Sequence, residues 1–282
     1  MAQPIIEPIT SETLPEFAAF LHANLTNARS PHAWIEGLQK SWGMTPPNHG
    51  FMLRDDGKIV GGIGAYYAER SINGQPQRTC NITSWCVLDA YRKQSMRLAM
   101  AVIGQKGFHF TDFSPTKVVG GVLRFLKFKP LDERQAVMIN LPWPALASKL
   151  LSQPNDIERA LMGDALNVYR DHAVFPWLHH VLIGANDKWC HIIYKLARFK
   201  GLSSAHVYYL SDPAIFEQHN QRLARHFILR GIASTHVECR FLSRQPWPSK
   251  IRSGFNAKVY LSTTLTDSDI DYLYSETMAL DL

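Results

Sequence analysis

Arg92, Lys93, Ser95 and Arg97 crowd the point where a strand gives way to a helix in "VLDAYRKQSMRLAM", residues 87–100. Val87 and Leu88 read as the strand end, Asp89-Ala90 as the exit, and the residues after Gln94 as good helix formers. The first turn of a helix leaves backbone N–H groups without intrahelical partners at the positive end of the dipole, so it attracts an anion whatever the side chains are. Lys93 and Arg97 add charge and Ser95 a hydroxyl donor, which is phosphate chemistry. No glycine stands between 89 and 97, so close approach of a phosphate to the backbone is restricted. A basic helix start with no ligand is the alternative reading.

Other chemistry is weaker. "GGIGA", 61–65, lies inside a strand pattern and not at a strand-to-helix turn, so it is no dinucleotide fingerprint; it marks a bulge or a close backbone approach. The twelve histidines, His179-His180 included, show no ligand spacing with a third partner, and no metal is expected. The four cysteines are too scattered for a disulfide framework or a metal knuckle and read as small buried hydrophobes. The net charge of +6 suits a nucleotide cofactor, RNA or an acidic surface without choosing between them, and charge alone favours a solvated basic surface. The helix "HNQRLARHFILR" is basic without interleaved aromatics, which favours that last reading.

At 282 residues, 46% hydrophobic and 19% charged, the chain can bury one large core or two modest ones. The N-terminus lacks a basic segment followed by an apolar run, and no stretch is apolar enough to span a bilayer. A cytoplasmic protein without membrane insertion is expected. "IIEPIT" predicts a first strand, Ser11 a helix cap, and Ser30-Pro31 a second helix over 31–42. Strands near 50–54, 58–70 and 77–88 are joined by the turns "RDDGK" and "INGQ". A helix over 94–105, a strand over 108–113, a helix from Ser114-Pro115 to Phe125 and the strand "ERQAVMINL" follow. This is a mixed α/β layer, not a series of βαβ crossovers.

The element order of residues 5–140 and the stretch "WCVLDAYRKQSMRLAM" resemble the GNAT superfamily of acyl-CoA-dependent acyltransferases. In that family the fourth strand enters a V-x-P-x-[YF]-R-x-x-G-x-[GA] turn whose amides hold the cofactor pyrophosphate. Val87, Tyr91 and Arg92 match; Asp89, Ser95 and Arg97 replace the proline and the two glycines. "FTDFSPTKVVGGVLRFLKFKP" resembles the fifth strand and fourth helix, with Leu126-Lys127-Phe128 in place of the usual Leu-Gly-Phe. The resemblance implies a GNAT-like fold in two halves and a cofactor site at Cys86, Val87, Arg92, Lys93, Gln94, Ser95, Met96, Arg97 and Ser114. It implies acetyl-CoA or another acyl-CoA as donor and an amine acceptor on an amino sugar, amino acid or peptide.

The family's usual carboxylate on the fourth strand and tyrosine in the last helix are missing: "CNITSWCV" carries no acid, and Leu123 stands at the tyrosine position. Ser84 and Asp112, which end neighbouring predicted strands with Thr83, His109 and Ser114 nearby, are the catalytic candidates for positioning or proton relay. Asp112 and Ser114 read equally as caps of the next helix. A catalytically inactive binding or scaffold protein, and a transferase drawing aminoacyl groups from tRNA, are the alternatives.

The domains are expected as 1–140, GNAT-like and holding acyl-CoA; 141–180, a helical connector punctuated by prolines; and 181–282, a second, partial GNAT-like domain. An internal similarity supports the second half: "FHFTDFSPTKVVGGVLRFLKFKPLDERQAVM" and "HVYYLSDPAIFEQHNQRLARHFILRGIASTHVEC" share a strand, a Ser near a Pro, a helix and a returning strand.

Overall fold

The computed structural model describes residues 3–144 and 147–281. The chain forms two compact units, and the boundary between the first two long segments falls at Leu131/Asp132. The first unit opens with β1 (Ile5–Pro8), α1 (Leu14–Asn24) and α2 (Pro31–Leu38), followed by the antiparallel strands β2 (Gly50–Asp55), β3 (Lys58–Ile72) and β4 (Gln75–Val87). The two predicted hairpin turns are present. Asp56-Gly57 and Asn73-Gly74 each adopt positive φ, the geometry that lets a two-residue turn match strand twist. A 3₁₀ helix at Asp89–Gln94 leads into α3 (Ser95–Ile103), then come β5 (His109–Asp112), α4 (Lys117–Phe125) and the short β6 (Lys129–Pro130).

Alternation on β3 assigns the two faces of this sheet. Ile63, Ala65 and Tyr67 pack with Leu98 and Val102 of α3 and Leu123 of α4 in one buried cluster. The even-numbered residues face the first two helices. A Cβ on Gly62 would lie 2.3 Å from the Phe17 ring of α1, so glycine there permits the helix to approach. The register also shifts between Gly62 and Gly64, so the "GGIGA" run is both a bulge and a close approach.

The second unit contains β7 (Gln135–Ile139), β8 (Lys149–Leu151), α5 (Pro154–Ala160), α6 (Gly163–Ala173), β9 (His179–Ala185), β10 (Lys188–Phe199), β11 (Leu202–Leu210), α7 (Pro213–Ile228), β12 (Ile232–Glu238) and β13 (Ser249–Arg252). Its sheet runs β13-β7-β12-β11-β10-β9-β8. Apolar residues of α7, Phe216, Leu223 and Phe227, are buried.

The chain then returns to the first unit. β14 (Val259–Leu261) inserts between β5 and β6, antiparallel to both, and α8 (Glu276–Ala279) follows. Residues 257–269 and 274–282 cluster with the first unit, and 270–273 with the second.

Several expectations need correction. Residues 141–180 are no separate helical connector: Lys149–Leu151 is a strand paired with β9, and this stretch belongs to the second unit. Ala145 and Leu146, in the segment expected to be helical, lie outside the described residues. The second domain does not run to 282. α4 is capped by Thr116, whose side chain accepts from the Val119 N–H, and not by Asp112 or Ser114.

The internal similarity is also displaced by one element. β11–α7–β12 has parallel neighbouring strands joined by a helix, and so does β4–α3–β5. The segment likened to it, β5–α4, leads instead to β6, with β14 between.

Candidate active site

β4 and β5 run parallel and paired from Thr79↔His109 to Asn81↔Thr111, and there the ladder stops. β5 ends at Asp112, while β4 continues to Val87 with only β3 beside it. Those amides of β4 beyond Asn81 that point away from β3 have lost their strand partner. Ser84 sits in the parted section with φ of 50°, unusual for a residue with a side chain, opposite the register shift in β3. This bulge bends β4 away from β5.

A cleft of about 230 Å³ occupies the opening. Thr83, Ser84 and Trp85 line it from β4, Asp112 and Ser114 from the end of β5, and Trp34 from α2. The Ser114 backbone N–H donates to Asp112 Oδ1 at 3.1 Å. Asp112 is 4% exposed, and burial pushes its carboxyl up to about 7 against the pull of that hydrogen bond.

Glu276 stands behind this wall, and sequence reasoning missed it. Its carboxylate accepts from the Ser114 hydroxyl at 3.1 Å, and its backbone N–H donates to Asn81 Oδ1 at 2.9 Å. The side chain is fully buried, and burial together with the Asp112 charge raises it to about 8. Two carboxyl groups in such a setting cannot both ionise cheaply, so Asp112 gives up its proton first and Glu276 keeps its own near neutrality. Its one trace in the sequence is an acid within "LYSETMAL", an otherwise apolar and hydroxyl-bearing run, which does not point to Ser114.

The candidates therefore divide. Ser84, Asp112 and Ser114 meet at the cleft. Cys86 and Val87 continue β4 opposite Gly62 and Gly61, and burial raises the Cys86 thiol, so it is held protonated. His109 is not at the opening: its ring lies 2.9 Å from Ser262 Oγ and 2.8 Å from Gln77 Oε1. Leu123 is fully buried in the core and offers no proton.

The turn before α3 is tied up within the chain. The Tyr91 N–H donates to the Leu88 carbonyl at 2.8 Å, the Ser95 N–H donates to the Arg92 carbonyl, and a 3₁₀ helix closes its amides on carbonyls three residues back. Arg92 pairs with Asp89 at 2.7 Å. Arg97 Nη1 donates to the Pro4 carbonyl at 3.0 Å and to Gln94 Oε1 at 3.1 Å, so the side chain neither fills the turn nor stands ready beside it. Lys93 and Met96 are exposed. The Tyr91 hydroxyl donates to Asp55 at 2.6 Å, fixing the turn to the end of β2.

The second unit has a related strand pair, and buried side chains pack at its end. β11 and β12 pair in parallel to His206↔His236. At the end of β12, Glu238 is held by the Tyr272 hydroxyl and by Arg240 Nε at 2.6 Å, all three nearly inaccessible, with Tyr208 packed against Tyr272. The start of α7 is capped by Asp212, which accepts from the Ile215 N–H at 2.9 Å. A carboxylate at that position repels an incoming phosphate.

No protein-family model matches the sequence, and no curated protein is similar to it. Solved structures do match. A GCN5-related N-acetyltransferase from Anabaena variabilis superposes with a TM-score of 0.62 at 12% identity, over 92% of this chain and 72% of that one. A probable N-acyltransferase from Enterococcus faecalis gives 0.60 at 11% identity over the same shares, 92% and 72%. A GCN5-related N-acetyltransferase from Kribbella flavida gives 0.59 at 10%, over 91% and 70%. These likenesses establish the fold: the chain is a mixed α/β protein of GNAT architecture, and its two seven-stranded sheets fit two GNAT-like halves. Among the described residues no helix is long and apolar enough to cross a membrane, and no group of acidic, His or Cys side chains is placed to hold a metal.

Proposed function

We propose that the protein is an acyl-CoA-dependent N-acyltransferase whose first unit carries the reaction. The observation that supports this most directly is the parted β4–β5 pair with a proton-accepting carboxyl group at its mouth. An extended pantetheine arm can lie along the open edge of β4 and bond its unpaired amides, which places the thioester carbonyl beside the bulge at Ser84. A β4 amide then stabilises the oxyanion as the amine attacks.

The attacking amine must shed a proton. A carboxyl group near 7 is suited to accept it at neutral pH, and Asp112 lines the cleft. Ser114 holds both carboxyl groups in place, its backbone N–H donating to Asp112 and its hydroxyl to Glu276, and the proton rests on Asp112. Thiolate leaves as free CoA, and the product is an amide. Acetyl-CoA or a longer acyl-CoA is the donor, and the acceptor is a primary amine on an amino sugar, amino acid or peptide. The protein acts in the cytoplasm.

One observation favours a second reading, a GNAT-fold binding or scaffold protein without turnover: the Tyr91 and Ser95 amides and both arginines of residues 89–97 are already paired. Donor binding separates the two. A ligand held at a hundred times its dissociation constant stabilises the fold by about 2.7 kcal/mol, visible as a melting shift that shrinks with salt. Acetyl-CoA and longer acyl-CoAs are expected to give that shift and to release thiol when an amine panel is added. No shift with any acyl-CoA or free CoA, in folded protein, would end the transferase reading.

A further inference from the structure

We propose that the second unit carries a binding site for a neutral saccharide, in the cleft between α7 and the loop 243–248. The cleft has a volume of about 370 Å³ and is lined by Gln218 and Gln221 of α7 and by Arg244, Gln245 and Trp247 of the loop. Three of its properties select the ligand class.

The first is an aromatic platform. Trp247 is 73% exposed, unusual for the side chain with most apolar area to lose. Trp143 lies 5.7 Å away at a tilt of 47°, a neighbour for the ring that leaves most of its surface open to a ligand. The axial C–H face of a pyranose stacks on such a surface.

The second is charge. Arg244 Nε lies 3.1 Å from Glu217 Oε2, so the two charges nearest the cleft cancel. A phosphate or an ammonium ligand gains little there. What remains are exposed carboxamides, Gln218 and Gln221, spaced three apart so that both fall on one face of α7. A carboxamide offers two donors and an acceptor in one plane, which suits neighbouring hydroxyl groups on a sugar ring. The lining is mainly polar, which disfavours a flat apolar base seeking burial.

The third is preorganisation. Glu217 Oε1 accepts from the backbone N–H groups of Ser243 at 2.7 Å and Arg244 at 3.0 Å. Gln245 Nε2 donates to the Ser249 carbonyl at 3.0 Å. The loop that carries Trp247 is therefore fastened at both ends, and binding need not order it.

The test uses the full-length protein, calorimetric titration and saturation-transfer NMR, with chitotriose, maltotriose and cellotriose as probes and adenosine as competitor. At least one trisaccharide is expected to bind with a dissociation constant of about 1 mM or tighter, with transfer strongest to ring C–H protons. Trp247→Ala should weaken binding at least about tenfold, Trp247→Phe less, and Gln218→Ala with Gln221→Ala comparably to the first. The exposed position of each lets circular dichroism confirm an unchanged fold. No binding of any trisaccharide up to about 10 mM, equal binding by Trp247→Ala, or binding of adenosine alone overturns the proposal. It stands apart from the transferase reading, because none of its readouts involves acyl transfer.

Discussion

At the scale of single residues, the proposed acyl transfer rests on where Asp112 loses its proton. Burial holds its carboxyl near 7, so the unprotonated base is scarce in acid and abundant above that pH. The rate should climb through about 7 and then level. Asp112→Asn should lower kcat roughly a hundredfold or more while leaving donor binding intact, because a general base is worth that much. An unchanged kcat removes Asp112 from the mechanism. Glu276, titrating near 8, is still protonated and uncharged while Asp112 ionises near 7, so Glu276→Gln should leave the rising limb in place. A limb that moves to lower pH would show instead that Glu276 is charged first and opposes the ionisation of Asp112. Of this site, Asp112, Ser84 and Ser114 were legible because strand ends and a strand–turn–helix pattern are local. Glu276 was not: it reaches Ser114 across 162 positions of chain, and no periodicity in a short terminal run announces a tertiary partner.

At the scale of elements, the ending of α4 shows a residue with a side chain closing a helix at a position where the resembling motif has glycine. The Lys127 N–H donates to the Arg124 carbonyl at 3.0 Å and the Phe128 N–H to the Leu123 carbonyl at 3.0 Å, the double bond of a left-handed helix stop. Lys127 takes φ of 71° there, at the position where the resembling motif has glycine. Lys127→Gly should therefore raise stability by up to about 1 kcal/mol, since relief of the left-handed strain outweighs the added unfolded-state entropy. Denaturant titration reads it, and a loss of stability would refute the strain argument. Such stops, like the Asp-Gly and Asn-Gly hairpins, are written in a few adjacent residues and could be read directly. The placement of β14 could not. "KVYL" reads as a strand, but its partners β5 and β6 are fixed by which edge stands open after folding, and nothing local encodes that. The same holds for β8, too short for its alternation to outvote the prolines around it.

At the scale of the whole molecule, the two units carry opposite titration debts. In the second, burial pushes His180, His226 and His236 down to about 4 and His191 well below its ordinary value, with His179 and His206 also lowered. His180 lies 3.1 Å from His191, and His206 stacks on His236 at 4.2 Å, so one proton in either pair discourages a second. A histidine depressed from 6.5 is neutral when folded and charged when unfolded at any pH between the two values. Its contribution to stability is complete above 6.5 and is lost as pH falls toward 4, by about 1.4 kcal/mol per pH unit per group. In the first unit Asp112 and Glu276 are raised, to about 7 and about 8, so the folded state binds protons the unfolded state releases. That contribution is present below the ordinary carboxylate range and is lost as pH rises through 7 to 8; His49 and His109, also lowered by burial, offset part of it in acid. Acidification from pH 7 to 5 should therefore weaken the second unit steeply while the first changes little. Scanning calorimetry across that range should show one transition separating to lower temperature, and hydrogen exchange at pH 5 should map it to strands β9 to β12. A transition that stays single and keeps its midpoint, or early exchange confined to β2 to β5, would show that these histidines are not what holds the second unit together.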